Sequence, residues 1–137
     1  MENSEQQMEQ LAAQPRPGAF AWFEIGTTDP DATQRFYKDA FGWRFVFDDT
    51  AGGKPYSNIF TTLQWPSGGL NEAGADYAMP SFLVTDVATT TAAAQAAGAR
   101  LEDGPDTNPD GLVYSRLIDP KGNRFGLFSM PAGPVGA

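Results

Sequence analysis

The sequence contains no histidine and no cysteine. Without histidine the commonest metal ligand and the usual general base near neutral pH are gone, which excludes Ser-His-Asp, Cys-His and His-metal mechanisms. Without cysteine there are no disulfides, thiolate nucleophiles or cysteine metal sites. Basic residues are scarce: 9 Lys and Arg face 17 Asp and Glu, for a net charge of −8. Phosphate binding needs clustered Lys and Arg, so no nucleic-acid partner is expected. Long hydrophobic runs are also missing, so no segment reads as a membrane span. Met1 to Gln14 has neither a basic start nor an apolar stretch. It therefore does not read as a secretory signal, and a cytoplasmic location is the expectation. Any acid–base work falls to Asp, Glu, Tyr, Lys or water.

What is present suffices for one core. The 137 residues are 41% hydrophobic and 12% aromatic, enough to fold as a single domain. Residues 1–17, ending in Pro15-Arg16-Pro17, read as a flexible leader with a partial helix possible over Glu5–Ala13. Phe20–Gly26 is rich in strand formers. Thr28 or Asp29 followed by Pro30 starts a helix that runs to about Ala40, with Ala32, Phe36 and Ala40 as its apolar stripe, Tyr37 beside it, and Gly42 as terminator. Strands are expected at Trp43–Phe47 and Ser57–Gln64, around a turn at Gly52-Gly53. Trp65 to Leu70 then leads into a linker over Asn71–Asp76.

The pattern then repeats. Ser81–Val84 is a strand, Thr85-Asp86 caps, Val87–Ala97 is a helix and Gly98 ends it. Arg100–Glu102 is a short strand, Asp103–Gly111 a long loop, Leu112–Ile118 a strand, Asp119–Gly122 a tight turn and Asn123–Phe128 the last strand. An offset of 57 residues lays Thr28-Asp29 on Thr85-Asp86 and Gly69-Leu70 on Gly126-Leu127. The expectation is an α+β fold of two tandem βαβββ modules, about 18–71 and 77–131, in one domain spanning 18–131, with a flexible tail at 132–137. Together the modules would form a cupped, mostly antiparallel eight-stranded sheet. The pattern leaves open whether they pair within one chain or between chains.

Specific residues carry a family likeness. Glu24–Asp29, Phe36-Tyr37 and Ala40–Trp43, together with the turn Asp119-Pro120-Lys121-Gly122-Asn123, resemble the signatures of the vicinal oxygen chelate superfamily. That superfamily includes glyoxalase I, extradiol dioxygenases and bleomycin-resistance proteins. The resemblance covers about Phe20–Met130 and implies the cupped fold and a homodimer. In metal-using members each module supplies one ligand from its first strand and one from its last. By that resemblance the four positions fall on Trp22, Gly69, Met79 and Gly126, none of which suits a divalent ion. No metal and no cofactor is therefore expected.

Alternation along the strands then suggests what lines the cup. Trp22 and Glu24 share one face of the first strand, Met79, Ser81 and Leu83 share one in the second module, and so do Arg124, Gly126 and Phe128. Tyr114 and Arg116 have matching parity, and Trp65 sits where it could line the mouth. The candidate ligand-binding set is Trp22, Glu24, Trp65, Met79, Ser81, Tyr114, Arg116 and Phe128. Glu24 is the sharpest member, because a carboxylate in an apolar strand needs a partner or must give up its charge. Arg116 is its candidate partner, either as a structural ion pair or as a substrate anchor.

Three functions follow. The favoured one is a metal-free, non-catalytic small-molecule binder that sequesters an aromatic or cationic antibiotic or metabolite, in the bleomycin-resistance manner. The alternative is a metal-independent lyase, isomerase or cyclase with Glu24 or Tyr114 as the acid–base group. A metal-dependent lyase or dioxygenase fits least.

Overall fold

A computed structural model describes residues 3–12, 18–61 and 64–131. Eight strands form one sheet: β1 (Ala19–Thr27), β2 (Arg44–Phe47), β3 (Tyr56–Phe60), β4 (Gly68–Glu72), β5 (Tyr77–Leu83), β6 (Arg100–Thr107), β7 (Val113–Ile118) and β8 (Arg124–Ser129). The helices are α1 (Ser4–Ala12), α2 (Pro30–Phe41) and α3 (Val87–Ala96). The expected partial helix in the leader is thus α1; residues 13–17 and the tail 132–137 lie outside the described residues. No helix among the described residues is long and apolar enough to cross a membrane.

The strand order β2-β3-β4-β1-β5-β8-β7-β6 is symmetric about the β1–β5 seam. Each βαβββ module folds on itself, and the two pair within one chain. β1 with β4 and β5 with β8 run parallel, while the other pairings are antiparallel.

The helix starts follow the sequence signals closely. Asp29 caps α2 by accepting from Ala32 N at 3.1 Å, with Pro30 opening the helix. Asp86 caps α3 through Thr89 N at the same distance. At the end of α2, Gly42 takes φ +74° and donates its N–H to Lys38 O at 2.8 Å, a left-handed conformation costly for other residues.

Two apolar layers lie between the helices and the sheet. Under α3, Val84, Val87, Leu117 and Leu127 form the buried cluster, with Phe82, Leu101 and Phe125 against it. Under α2, Tyr37 stacks on Trp43 at 4.7 Å, and Trp43 meets Phe23 at 5.8 Å.

Three expectations need correction. The Ala32–Phe36–Ala40 stripe faces solvent, with Phe36 59% exposed. Thr33 and Tyr37 are partly buried instead; Thr33 is anchored by a 2.7 Å hydroxyl contact to Thr27. Second, β6 continues to Thr107 through residues that read as a loop. It is an edge strand, where Pro105 costs no ladder hydrogen bond, and two register shifts absorb the irregularity. Third, Leu83, which is 36% exposed, and Arg124, which bonds Glu102 at 3.0 Å and lies over the Tyr77 ring, do not line the cavity.

Candidate functional site

One face of the sheet encloses a cavity of about 840 Å³. Its floor is built by two lateral rows of paired residues. One row runs Gly69, Glu24, Met79 across β4, β1 and β5. The next runs Trp22, Ser81, Gly126, Arg116 across β1, β5, β8 and β7. Strand alternation therefore brings seven of the eight sequence candidates into the cavity lining: Trp22, Glu24, Met79, Ser81, Tyr114, Arg116 and Phe128. Trp65 is the exception; it is 74% exposed and off the lining, while its neighbour Pro66 is on it.

Glu24 is the centre of the floor. Only 4% exposed, it accepts from Arg116 Nε at 2.7 Å and Nη2 at 2.8 Å, a two-pronged pair. Tyr77 donates a third hydrogen bond to Glu24 at 2.6 Å, and Asn71 in turn donates to the Tyr77 hydroxyl at 3.0 Å. The other side of Arg116 reaches Asp103 at 2.6 Å. Burial opposes the charge on Arg116, but the hydrogen bonds and attraction of Glu24 outweigh it and hold the guanidinium above its ordinary value. Both oxygens of Glu24 and all three guanidinium nitrogens of Arg116 are engaged.

Two phenols flank this pair. Tyr56 accepts from the Trp22 indole N–H at 3.0 Å. Burial, and then the charge of Glu24, push the Tyr56 hydroxyl well above its ordinary value and raise Tyr77 to about 12. Both phenols ionise more readily in the unfolded chain than in the fold. The stability this confers is complete below about pH 10 and is lost as the pH rises towards 12. An alkaline titration followed by tyrosinate absorbance should show these two ionising together with unfolding, and Tyr77→Phe should move that transition to higher pH. Ionisation of all four tyrosines near pH 10 without unfolding would contradict the burial of this pair.

The same geometry tests the metal site that the fold family implies. A Cβ at Gly69 would run into the Tyr56 ring, so the space a first-module ligand would need is filled by a phenol. At Gly126 a Cβ would stand 2.6 Å from Ser81 Oγ and 3.0 Å from Met79 Cε. Trp22 offers an N–H donor already spent on Tyr56, and Met79 only a thioether. The two nearby carboxylates, Glu24 and Asp103, both serve Arg116. Among the described residues no three His, Cys, Asp or Glu side chains converge as a metal site. This donor set does not fit a divalent ion of the family's kind.

Sequence reasoning missed Lys54, Tyr56, Asn71, Tyr77, Asp103 and Asp106. Parity could have found Tyr77, which lies two residues before Met79. The others meet the site only through the order in which strands pair.

An eight-stranded cup built from two βαβββ modules, with its site on the concave face, defines the vicinal oxygen chelate class, and the comparisons agree. Residues 22–128 match the family described as a glyoxalase-like domain, and the chain belongs to that family. Among solved structures, it is similar to the Mn(II)-bound glyoxalase from Novosphingobium aromaticivorans, at 21% identity and TM-score 0.55, over 83% of this chain and 39% of that one. It is similar to the Streptomyces coelicolor methylmalonyl-CoA epimerase in complex with 2-nitronate-propionyl-CoA, at 19% identity and TM-score 0.55, over 85% of this chain and all of that one. It is also similar to homoprotocatechuate 2,3-dioxygenase from B. fuscum, at 21% identity and TM-score 0.60, over 86% of this chain and 34% of that one. The chain thus spans well under half of the glyoxalase and of the dioxygenase. At such identities the likeness establishes the fold alone. No curated protein shows significant similarity to the sequence.

Proposed function

We propose that the cup binds a small aromatic molecule, neutral or cationic, and holds it without a metal and without chemical change, in the manner of a sequestering protein. The observation that carries this reading is the closed Glu24–Arg116–Tyr77 network on the floor. A general base needs a lone pair free for the proton it takes. Three hydrogen bonds from Arg116 and Tyr77 already take three of the four lone-pair sites of the Glu24 carboxylate, and the one left is on Oε1, beside the guanidinium. Arg116, shared between two carboxylates, has little attraction left for an anionic substrate.

Charge along the cavity lining supports the same ligand class. The lining carries six acidic side chains (Glu24, Asp48, Asp49, Asp103, Asp106 and Asp110) against two basic ones, Lys54 and Arg116. A polyphosphorylated ligand such as a CoA thioester is repelled by such a mouth, whereas a cation is drawn in. The walls suit a planar guest: Trp22 and Phe128 offer ring faces, and Met79 and Met130 adaptable apolar surface.

One contact favours the second reading, a metal-independent enzyme. The Tyr114 hydroxyl lies 2.6 Å from Lys54 Nζ, within reach of proton transfer. The two readings separate by whether a bound compound is consumed. Native mass spectra of protein purified without added metal should show a small organic adduct or the bare chain. A panel of aromatic compounds should then bind saturably and be recovered unchanged. Recovery of a product instead would establish the enzyme reading.

A further inference from the structure

Lys54 makes a set of contacts that the binding reading does not use. It lies in the hairpin between β2 and β3 of the first module, and its partners all belong to the second. Its ammonium donates to the Tyr114 hydroxyl at 2.6 Å and to Asn108 Oδ1 at 3.2 Å, and stands 3.6 Å from Asp106 Oδ2. It also sits 4.6 Å from the centre of the Tyr114 ring. Every one of these residues lines the cavity. The side chain therefore crosses the mouth from one module to the other.

The arrangement has the chemistry of a primary-ammonium receptor. A –NH3+ group carries three donors and no acceptor. Here three oxygens of different kinds, a phenol, an amide and a carboxylate, surround it beside an aromatic face that attracts cations. Tyr114 is held in position from two sides, since its hydroxyl also approaches Asp106 Oδ2 at 3.3 Å and the Arg116 guanidinium lies 4.9 Å from its ring centre. Partial burial works against the charge on Lys54, yet Tyr114 and Asp106 outweigh it and hold the ammonium above its ordinary value. The Lys54 side chain remains 42% exposed, so it can swing into water and regain its freedom of rotation when displaced.

We propose that Tyr114, Asp106 and Asn108 form a subsite for a primary ammonium on the ligand, which Lys54 occupies as an internal competitor while the cup is empty. The proposal rests on the reading of the cup as a small-molecule site and narrows it to aromatic primary amines. The same residue then acts as a closure: with Lys54 seated, the two modules are tied across the mouth, and an arriving amine opens the tie by taking its place. A neutral guest gains nothing from this exchange.

The test compares tryptamine with its neutral analogue 3-ethylindole by calorimetric titration, in the wild-type protein and in Lys54→Met. The Met variant keeps the length of the stem and removes the competitor. It should bind tryptamine about fivefold more tightly than the wild type, as expected for a partly exposed cation–π and ion-pair site, and leave 3-ethylindole almost unchanged. Adding Asp106→Asn to Lys54→Met should remove most of the gain. If Lys54→Met strengthens both compounds equally, Lys54 is only a steric obstruction and the subsite is overturned while the binding reading stands. If it weakens tryptamine or alters neither compound, Lys54 is no competitor and the subsite again fails alone. If neither compound binds either protein, the cup reading falls as well. The melting temperature of each variant, measured in parallel, excludes loss of fold as the cause of weaker binding.

Discussion

Arg116→Met should cost about 3–5 kcal/mol of stability, because it leaves the carboxylate of Glu24 buried without its counter-charge. For a chain of this size that is a fall in melting temperature of roughly 10–20 °C. The cause is the asymmetry of a buried pair: forming it gains little, but removing one partner strands the other. Glu24 is 5% exposed at its side chain and Arg116 15%, so water cannot take over the missing role. Tyr77 can still donate its single hydrogen bond, which does not neutralise the charge. The complementary change, Glu24→Gln, should be milder, at about 1–3 kcal/mol, since Arg116 keeps Asp103 and the amide keeps one acceptor. Replacing both at once, Glu24→Leu with Arg116→Met, should recover stability to within about 2 kcal/mol of the wild type, because no orphaned charge remains. Chemical denaturation of the three variants measures the coupling. If Arg116→Met alone costs less than about 1 kcal/mol, the floor of the cup is wet and the arginine is free to act as a substrate anchor after all.

Gly69→Ala carries the second large effect. A methyl at this position meets the ring of Tyr56, which is held by the Trp22 indole and itself lines the cavity. Neither β4 nor the phenol can retreat without disturbing the pairing of Asn58 with Gly69 and of Glu24 with Gly69. The expected loss is about 2–3 kcal/mol, at the upper end for overpacking a well-packed interior. The same substitution in a Tyr56→Ala background should cost less than about 1 kcal/mol, because the space is then open. An equal cost in both backgrounds would mean that Gly69 is required for backbone reasons and that Tyr56 does not occupy the ligand position. The pair also bears on the metal question, since any side chain long enough to coordinate an ion from position 69 must first evict Tyr56.

Much of the fold was legible because its signals are local. Asp29-Pro30 and Asp86 mark helix starts by a capping carboxylate, Gly42 marks an end, and the 57-residue offset exposes the duplication. The site was legible to the extent that alternation along a strand fixes which side chains share a face, and this placed Trp22, Glu24, Met79, Ser81, Gly126 and Phe128 together. Pairing between elements is not local, and there the reading found the Glu24–Arg116 pair but missed most other partners. Alanine and phenylalanine spacing cannot say which stripe of α2 meets the sheet, and the docking face is that of Thr33 and Tyr37. The composition of Asp103–Thr107 hides a strand, because an edge position tolerates residues that an inner strand would reject. Tyr77 with Glu24, and Lys54 with Tyr114, lie 53 and 60 residues apart. Only the order of strands brings them into contact.

The proposal that the cup recognises a ligand through organic side chains in place of a metal is tested most directly by native mass spectrometry with and without added Mn(II). The expected result is a chain free of stoichiometric metal in both conditions, with any co-purifying organic adduct retained after treatment with a chelator. One tightly held divalent ion per chain, or an adduct released by the chelator, would contradict it.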